Sequence, residues 1–295
     1  MALALMRLLA AGFMAAFTSR WAMKNSPAFP AADAALHAGA HAQAWLQDNP
    51  NEGARRGPGC ADDWRYNRLL ASLLPAHRER LLAQAECVYL RPGQMLHEAS
   101  ACIQWVYFPV ASLVSLSMPD PAGACAEVAT VGRDGVVGLP LIDGNYTRSR
   151  AVVQVPGKAL RLRASVVAEE FARHATVRYL LLAYSQALVA EIMQTALCSR
   201  HHALEQQLAR LILLRQDRQQ AGELSMTQES MAGMLGVRRE SVTLAAARLQ
   251  QGGYIRYARG HIAVLDRGGL EGRCCDCYRT IKLEFDRLMR PRAAY

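Results

Sequence analysis

At Arg163 the hydrophobic period of the chain changes. From Cys87 to Ala164 the apolar residues come in short β-branched runs (VYFPVASLVSLSM, AEVATV, AVVQV, ALRLRA), separated by turn signals at Pro92-Gly93, Gly132 to Gly135, Asp143-Gly144-Asn145 and Pro156-Gly157. Short strands at such even intervals predict a β-barrel or jelly roll. After Arg163 the apolar positions fall three and four residues apart, the spacing of one helix face. The chain is therefore expected to be α+β, with its strands gathered before its main helices.

The helical half is more specific. Val177, Leu181, Tyr184, Leu188, Ile192 and Thr195 recur along a run that outlasts an average helix. Such a stripe either docks on the β-domain or meets a second copy in a coiled-coil-like seam, and its length favours the dimer contact. A further helix is expected from Leu204 to Arg218, ended by Ala221-Gly222.

The stretch MTQESMAGMLGVRRESVTLAAARLQQGGYI (226–255) follows. Thr227 is a candidate N-cap for a helix running to about Leu235, with Glu229 near its positive end, and Thr227 and Gln228 are also candidate DNA contacts. Gly236 suits the positive φ of a tight inter-helix turn. In a second helix from about Arg239 to Gln251, Val242, Ala245, Ala246 and Leu249 share the inward face. Arg238, Arg239, Glu240, Ser241 and Thr243 are left at the exposed N-terminal end. An apolar side that seats the helix and a polar tip that reaches base edges is what a DNA-recognition helix needs. Arg239 suits guanine O6 and N7, Glu240 cytosine N4, and Thr243 a base or a phosphate. After Gly252-Gly253, YIRYARGHIAVLD alternates around Arg259-Gly260 as a β-hairpin wing, placing Arg256 and Arg259 near phosphates. The excess of 34 Lys+Arg over 25 Asp+Glu, net +9, favours an anionic partner without choosing one.

With these residues in hand, the chain resembles the Crp/Fnr family of bacterial transcription regulators over roughly Trp64 to Tyr278. The resemblance is carried by TQESMAGMLGVRRESVT and GYIRYARGHIAVLDRGGLE, with support from LRPGQ (90–94) and EVATVGRDGVVGLPLI (127–142). It implies a cyclic-nucleotide-binding-like jelly-roll sensor over 62–172, a dimerisation helix over 173–200 and a winged helix-turn-helix over 201–278, followed by a helical tail over 279–295; before them the Ala-, His-, Pro-, Gly- and Asn-rich composition from Asn25 to Cys60 predicts a poorly ordered extension over 1–61. The resemblance also implies a non-enzymatic, cytoplasmic homodimer that binds double-stranded DNA, with RNA polymerase and a small-molecule effector as further partners. Arg239 and Glu240 match the family's base-reading pair, whereas Leu244 stands where many members have a second arginine. Arg238 replaces the usual capping Ser or Thr.

The sensor half departs from the family. Leu139 and Pro140 stand where the ribose-binding glutamate belongs, after Gly138, and Arg148 with Ser149 only echoes the phosphate site. The effector and any cofactor are therefore unspecified. The family's iron-sulfur branch needs clustered N-terminal cysteines, and only Cys60 lies there. Eight cysteines in 295 residues do not make a secreted disulfide scaffold. Cys274, Cys275 and Cys277 could hold a soft metal or form a redox pair. Because a closed zinc site needs four ligands, no metal is assigned to these three. A cupin-type metal enzyme would need more than the lone His97-Glu98 in the β region, with His201-His202 on a helix. Residues 1–17 are apolar and of signal-peptide length, but Arg7 interrupts them. An over-called start, with translation from Met14, Met23 or later, is the expectation, and no membrane span is expected.

Overall fold

The computed structural model describes residues 62–119, 125–139, 146–219 and 222–289. The extension expected over 1–61, its start codons and Cys60, and the last residues of the tail lie outside the described residues.

A 3-10 turn at Asp63–Tyr66 leads into two short helices, α1 (Arg68–Ala71) and α2 (Pro75–Leu82). Buried Asn67 fixes this entry. Its side chain accepts from Leu70 N and donates to the carbonyls of Pro109 and Gly135. Seven strands follow: β1 (Glu86–Leu90), β2 (Met95–His97), β3 (Trp105–Pro109), β4 (Leu113–Pro119), β5 (Cys125–Val131), β6 (Arg150–Val155) and β7 (Gly157–Arg163). They form two antiparallel sheets, ordered β1-β7-β3 and β2-β6-β4-β5. Period-2 alternation turns one side of each sheet inward, and Val88, Leu90, Tyr107, Val114, Leu116, Val131 and Val153 form a shared core between them. This is the two-sheet domain expected from the strand spacing.

His97 ends β2 of that domain. Both nitrogens of His97 are shielded from solvent and lack partners among the described residues, although the residue as a whole is half-buried. Burial holds its pKa down at about 4, against a smaller opposing pull from Glu98. The unfolded chain therefore takes up a proton near pH 6.5 that the folded protein refuses until about pH 4. Stability is fully present above pH 6.5 and is lost as pH falls through this window, by up to about 3 kcal/mol. Denaturant melts between pH 4 and 7 should show this slope, and His97→Phe should flatten it. An unchanged slope in the variant would mean that the ring is not shielded as described.

At Arg163 the chain becomes helical, as the change of period requires: α3 (Ala164–Arg173), α4 (Ala175–His201) and α5 (Leu204–Arg218). The 27 residues of α4 span about 40 Å. By length and composition α4 could also cross a membrane, but one face of it is buried in the protein. Val177, Leu181 and Tyr184, expected in a dimer seam, belong to that inward face and pack within the chain's own core. The Tyr184 hydroxyl donates to Val136 O at 3.0 Å, and its ring meets Phe285 edge-on. Leu188 and Ile192 are half-buried against the core between the two sheets, and Thr195 accepts from Arg210 Nη1. Val177, Leu181 and Tyr184 thus belong to an intramolecular face. A different stripe is exposed: Tyr179, Leu182, Gln186, Val189, Met193 and Leu197, again at steps of three and four.

The helix α5 joins the two halves through buried ion pairs. Arg215, 1% exposed, donates to both Glu127 oxygens. Arg218 is held by Glu191 of α4 at 2.6 Å, by Asp134 at 2.8 Å and by Thr130 of β5 at 2.9 Å. The rest of the chain is β8 (Leu224–Ser225), α6 (Gln228–Leu235), α7 (Arg239–Gln251), β9 (Ile255–Ala258), β10 (His261–Val264), α8 (Arg267–Arg273) and α9 (Cys277–Leu288). The helix α9 begins two residues before the expected tail boundary, and its Phe285 packs against Tyr184 of α4.

Candidate nucleic-acid interface

The two helices α6 and α7 have the limits their sequence predicts. Thr227 adopts an extended conformation and its Oγ1 accepts from Ser230 N at 3.0 Å, so the side chain is a helix cap. Gly236 ends α6 at φ 65°, where a Cβ would be strained. Val237 N then bonds back to Ala232 O. On α7, Val242, Ala245, Ala246 and Leu249 are buried together with Met231 and Ala232 of α6.

That packing leaves Arg238, Arg239, Glu240 and Thr243 exposed at the start of α7, with Ser241 half-buried between them. Arg238 occupies the N-cap position without a side-chain cap, and Ser241 N bonds back to Arg238 O, so the amides of Arg239 and Glu240 stay open toward an anion. The Thr243 hydroxyl lies 3.0 Å from both Gln228 Oε1 and Arg239 O. It links Gln228 in the first turn of α6 to Arg239 at the start of α7. Leu244, one residue on, is 63% exposed. Neither Arg238 nor Arg239 forms an ion pair with any described residue, and Arg248, which the sequence pattern did not single out, is also exposed.

The hairpin is present, with a third strand that two residues could not announce in the sequence: the order is β8-β10-β9. Arg259 (φ 50°) and Gly260 (φ 81°) make its tip, and Met226 N bonds to Gly260 O at 2.7 Å. Tyr257 N donates to Gln250 Oε1, so the wing is tied to both helices. The two wing arginines separate in role. Arg259 is exposed without an ion-pair partner among the described residues, whereas Arg256 is paired with Glu223 at 3.0 Å. Arg256 is therefore partly neutralised.

The sensor-side residues are not gathered in this way. Gly138 has φ 81°, and a Cβ there would lie 2.8 Å from Trp105 O. Leu139 packs on the core, and Arg148 is exposed. Ser149 shares its hydroxyl with Thr147, while the neighbouring Arg150 pairs with Glu98. Residues 140–145 lie outside the described residues. Of the three tail thiols, Cys275 and Cys277 come together with Cys198 and His202, and Cys274 turns toward Gln206 O instead.

A family model described as the Crp-like helix-turn-helix domain matches residues 206–273. No curated protein matches the chain in sequence. Among solved structures the chain is similar to FixK2 from Bradyrhizobium japonicum, with 18% identity and a TM-score of 0.58 over 65% of this chain and 98% of that one. It is also similar to two regulators from Thermus thermophilus. One, of the CRP family, has 17% identity and a TM-score of 0.53, covering 63% of this chain and 95% of that one. The other, of the CRP/FNR family, has 22% identity and a TM-score of 0.51, covering 63% of this chain and 97% of that one. The chain thus has the fold of a Crp/Fnr-type transcriptional regulator and carries that family's DNA-binding helix-turn-helix domain at its C-terminal end.

Proposed function

We propose that the chain works as a cytoplasmic, non-enzymatic homodimer that reads a palindrome-like duplex with two α7 helices, one per half-site, about 34 Å apart. One observation carries this: Arg238 and Arg239 are exposed, without ion-pair partners among the described residues, at the start of a helix whose other side is locked into a core, and Arg248 on the same helix and Arg259 at the wing tip are exposed and unpaired in the same sense. Arg239 and Glu240 are assigned to base edges. Arg238, Arg259 and the open α7 amides are assigned to phosphates, and Thr227, Gln228 and Thr243 to holding the two helices in register. Ser241 borders that contact, and Arg256 is a weaker contributor because of Glu223. A signal entering through the β-domain, from an effector not yet defined, would act through α4 and α5 on the DNA-binding helices. RNA polymerase is the expected downstream partner.

The second copy is assigned to the exposed stripe of α4. Tyr179, Leu182, Val189 and Met193 sit at alternating steps of three and four, the spacing of a coiled-coil seam, with Gln186 as a polar register element.

The base-reading assignment is tested on a duplex selected from a random pool. Arg239→Ala is expected to lose about 1–3 kcal/mol on the selected site and almost nothing on a scrambled one. Arg259→Ala should weaken both and lower the salt slope by about one. Equal losses on both duplexes for Arg239→Ala would remove it from base reading.

A further inference from the structure

The long helix ends where the last helix begins, and four ligand-type side chains meet there. Cys198 lies in the last turn of α4, and His202, four residues on, is the extended residue that follows its C-terminal end. Cys275 and Cys277 flank the start of α9. Cys198 Sγ is 3.5 Å from Cys275 Sγ, Cys277 Sγ is 3.3 Å from His202 Nδ1, and all four ligand atoms lie within 4.8 Å of one another. The three thiols are free and buried. A tetrahedral zinc ion, with bonds of about 2.3 Å to sulfur and about 2.0–2.1 Å to nitrogen, sets its ligands about 3.6–3.8 Å apart. The widest gap here needs to close by about 1 Å.

The surroundings suit an anionic metal site. Three thiols bound to a divalent ion release three protons, and with a neutral imidazole the complex carries a net charge of −1. Arg210 is buried beside them, with no carboxylate partner among the described residues. Its Nη1 donates to Thr195 Oγ1, and its Nε has no partner. A buried guanidinium without a counter-charge is costly. Gln194 Nε2 points at Cys277 Sγ from 3.0 Å, the kind of outer hydrogen bond that orients a metal-bound thiolate. The other histidine–carboxylate group, His77, Glu170 and His174, is already occupied by Arg80 bonding to Glu170.

We propose that Cys198, His202, Cys275 and Cys277 form a closed Cys3His site for one thiophilic divalent metal ion, zinc foremost, which fastens the C-terminal helix to the end of the long helix. The site differs from the three-thiol group visible in the tail sequence, because the fold exchanges Cys274 for Cys198 and adds His202. It also tethers α9, whose Phe285 packs on α4, at the point where α4 leaves the outward stripe assigned to the dimer. Zinc binding is thus coupled to the geometry of both halves.

The full chain, purified under reducing conditions without chelator, is expected to hold one equivalent of zinc by elemental analysis. Titration of the chelated wild-type protein with cobalt(II) should produce the visible bands of a tetrahedral site together with thiolate-to-metal charge transfer. This readout needs no variant to fold. Cys275→Ser with Cys277→Ser should abolish both signals, and Cys274→Ser should leave both in place. The proposal is overturned by wild-type protein that takes up neither zinc nor cobalt, or by unchanged metal content in the double variant. Iron–sulfur absorption in the isolated protein would overturn it too, as would a mass lower by two hydrogens mapping to a Cys198–Cys275 disulfide in metal-free protein.

Discussion

Replacing Arg218 with alanine is expected to lower the unfolding free energy by about 3–5 kcal/mol, measured by denaturant melts at neutral pH. Arg218 is 3% exposed and Glu191 is 2% exposed. The loss comes less from the ion pairs themselves than from what remains after truncation. Glu191 would stay buried on α4 without its cation, Asp134 would lose its bond to Nε, and Thr130 its donor. Arg218→Met combined with Glu191→Met should be more stable than Arg218→Met alone, because the most deeply buried carboxylate goes with its cation and only Asp134, which is nearer solvent, is left unpaired. A loss under about 0.5 kcal/mol for the alanine variant, the range typical of surface changes, would show that these carboxylates reach water. The contact also links the strand domain, the long helix and the first helix of the DNA-binding half, so the variant should loosen how those parts are held.

The second large effect concerns assembly. Val189→Glu with Met193→Glu puts two like charges from each chain into the outward stripe of α4, where Met193 is 67% exposed. Sedimentation should then show monomers, with the fold intact because neither side chain contributes to the core. Specific DNA affinity should fall by about 10²–10⁴-fold, since two linked half-site contacts become two independent ones. Val177→Ala or Leu181→Ala should instead reduce stability by about 1–5 kcal/mol without altering the sedimentation of the folded protein. The reverse pattern, monomers from the inward changes and dimers from the outward ones, would return the seam to the inward face.

That contrast shows how far periodicity reaches. The long helix carries apolar residues on two faces, and both sets obey the same three-and-four spacing. Nothing in the local pattern distinguishes Val177, Leu181 and Tyr184 from Tyr179, Leu182 and Val189, because both stripes satisfy the same helical geometry. The β-domain and α9 decide which stripe is covered, and they are remote in sequence. Similarly, an exposed arginine pattern could not separate Arg256 from Arg259, since Glu223 is brought to Arg256 only by the pairing of β8 with β10.

The sequence alone determined the switch from strands to helices, the limits of α6 and α7, the left-handed turn at Gly236 and the hairpin tip at Arg259-Gly260. Each rests on interactions within a few residues, such as a cap, a φ angle or one amphipathic face. Tertiary structure alone decided the inward face of α4, the buried Arg218–Glu191–Asp134 contact and the meeting of Cys198 and His202 with Cys275 and Cys277. These unite positions far apart in the chain, where complementary charge or ligand chemistry has no periodic signature and becomes visible only once packing has brought the partners into contact.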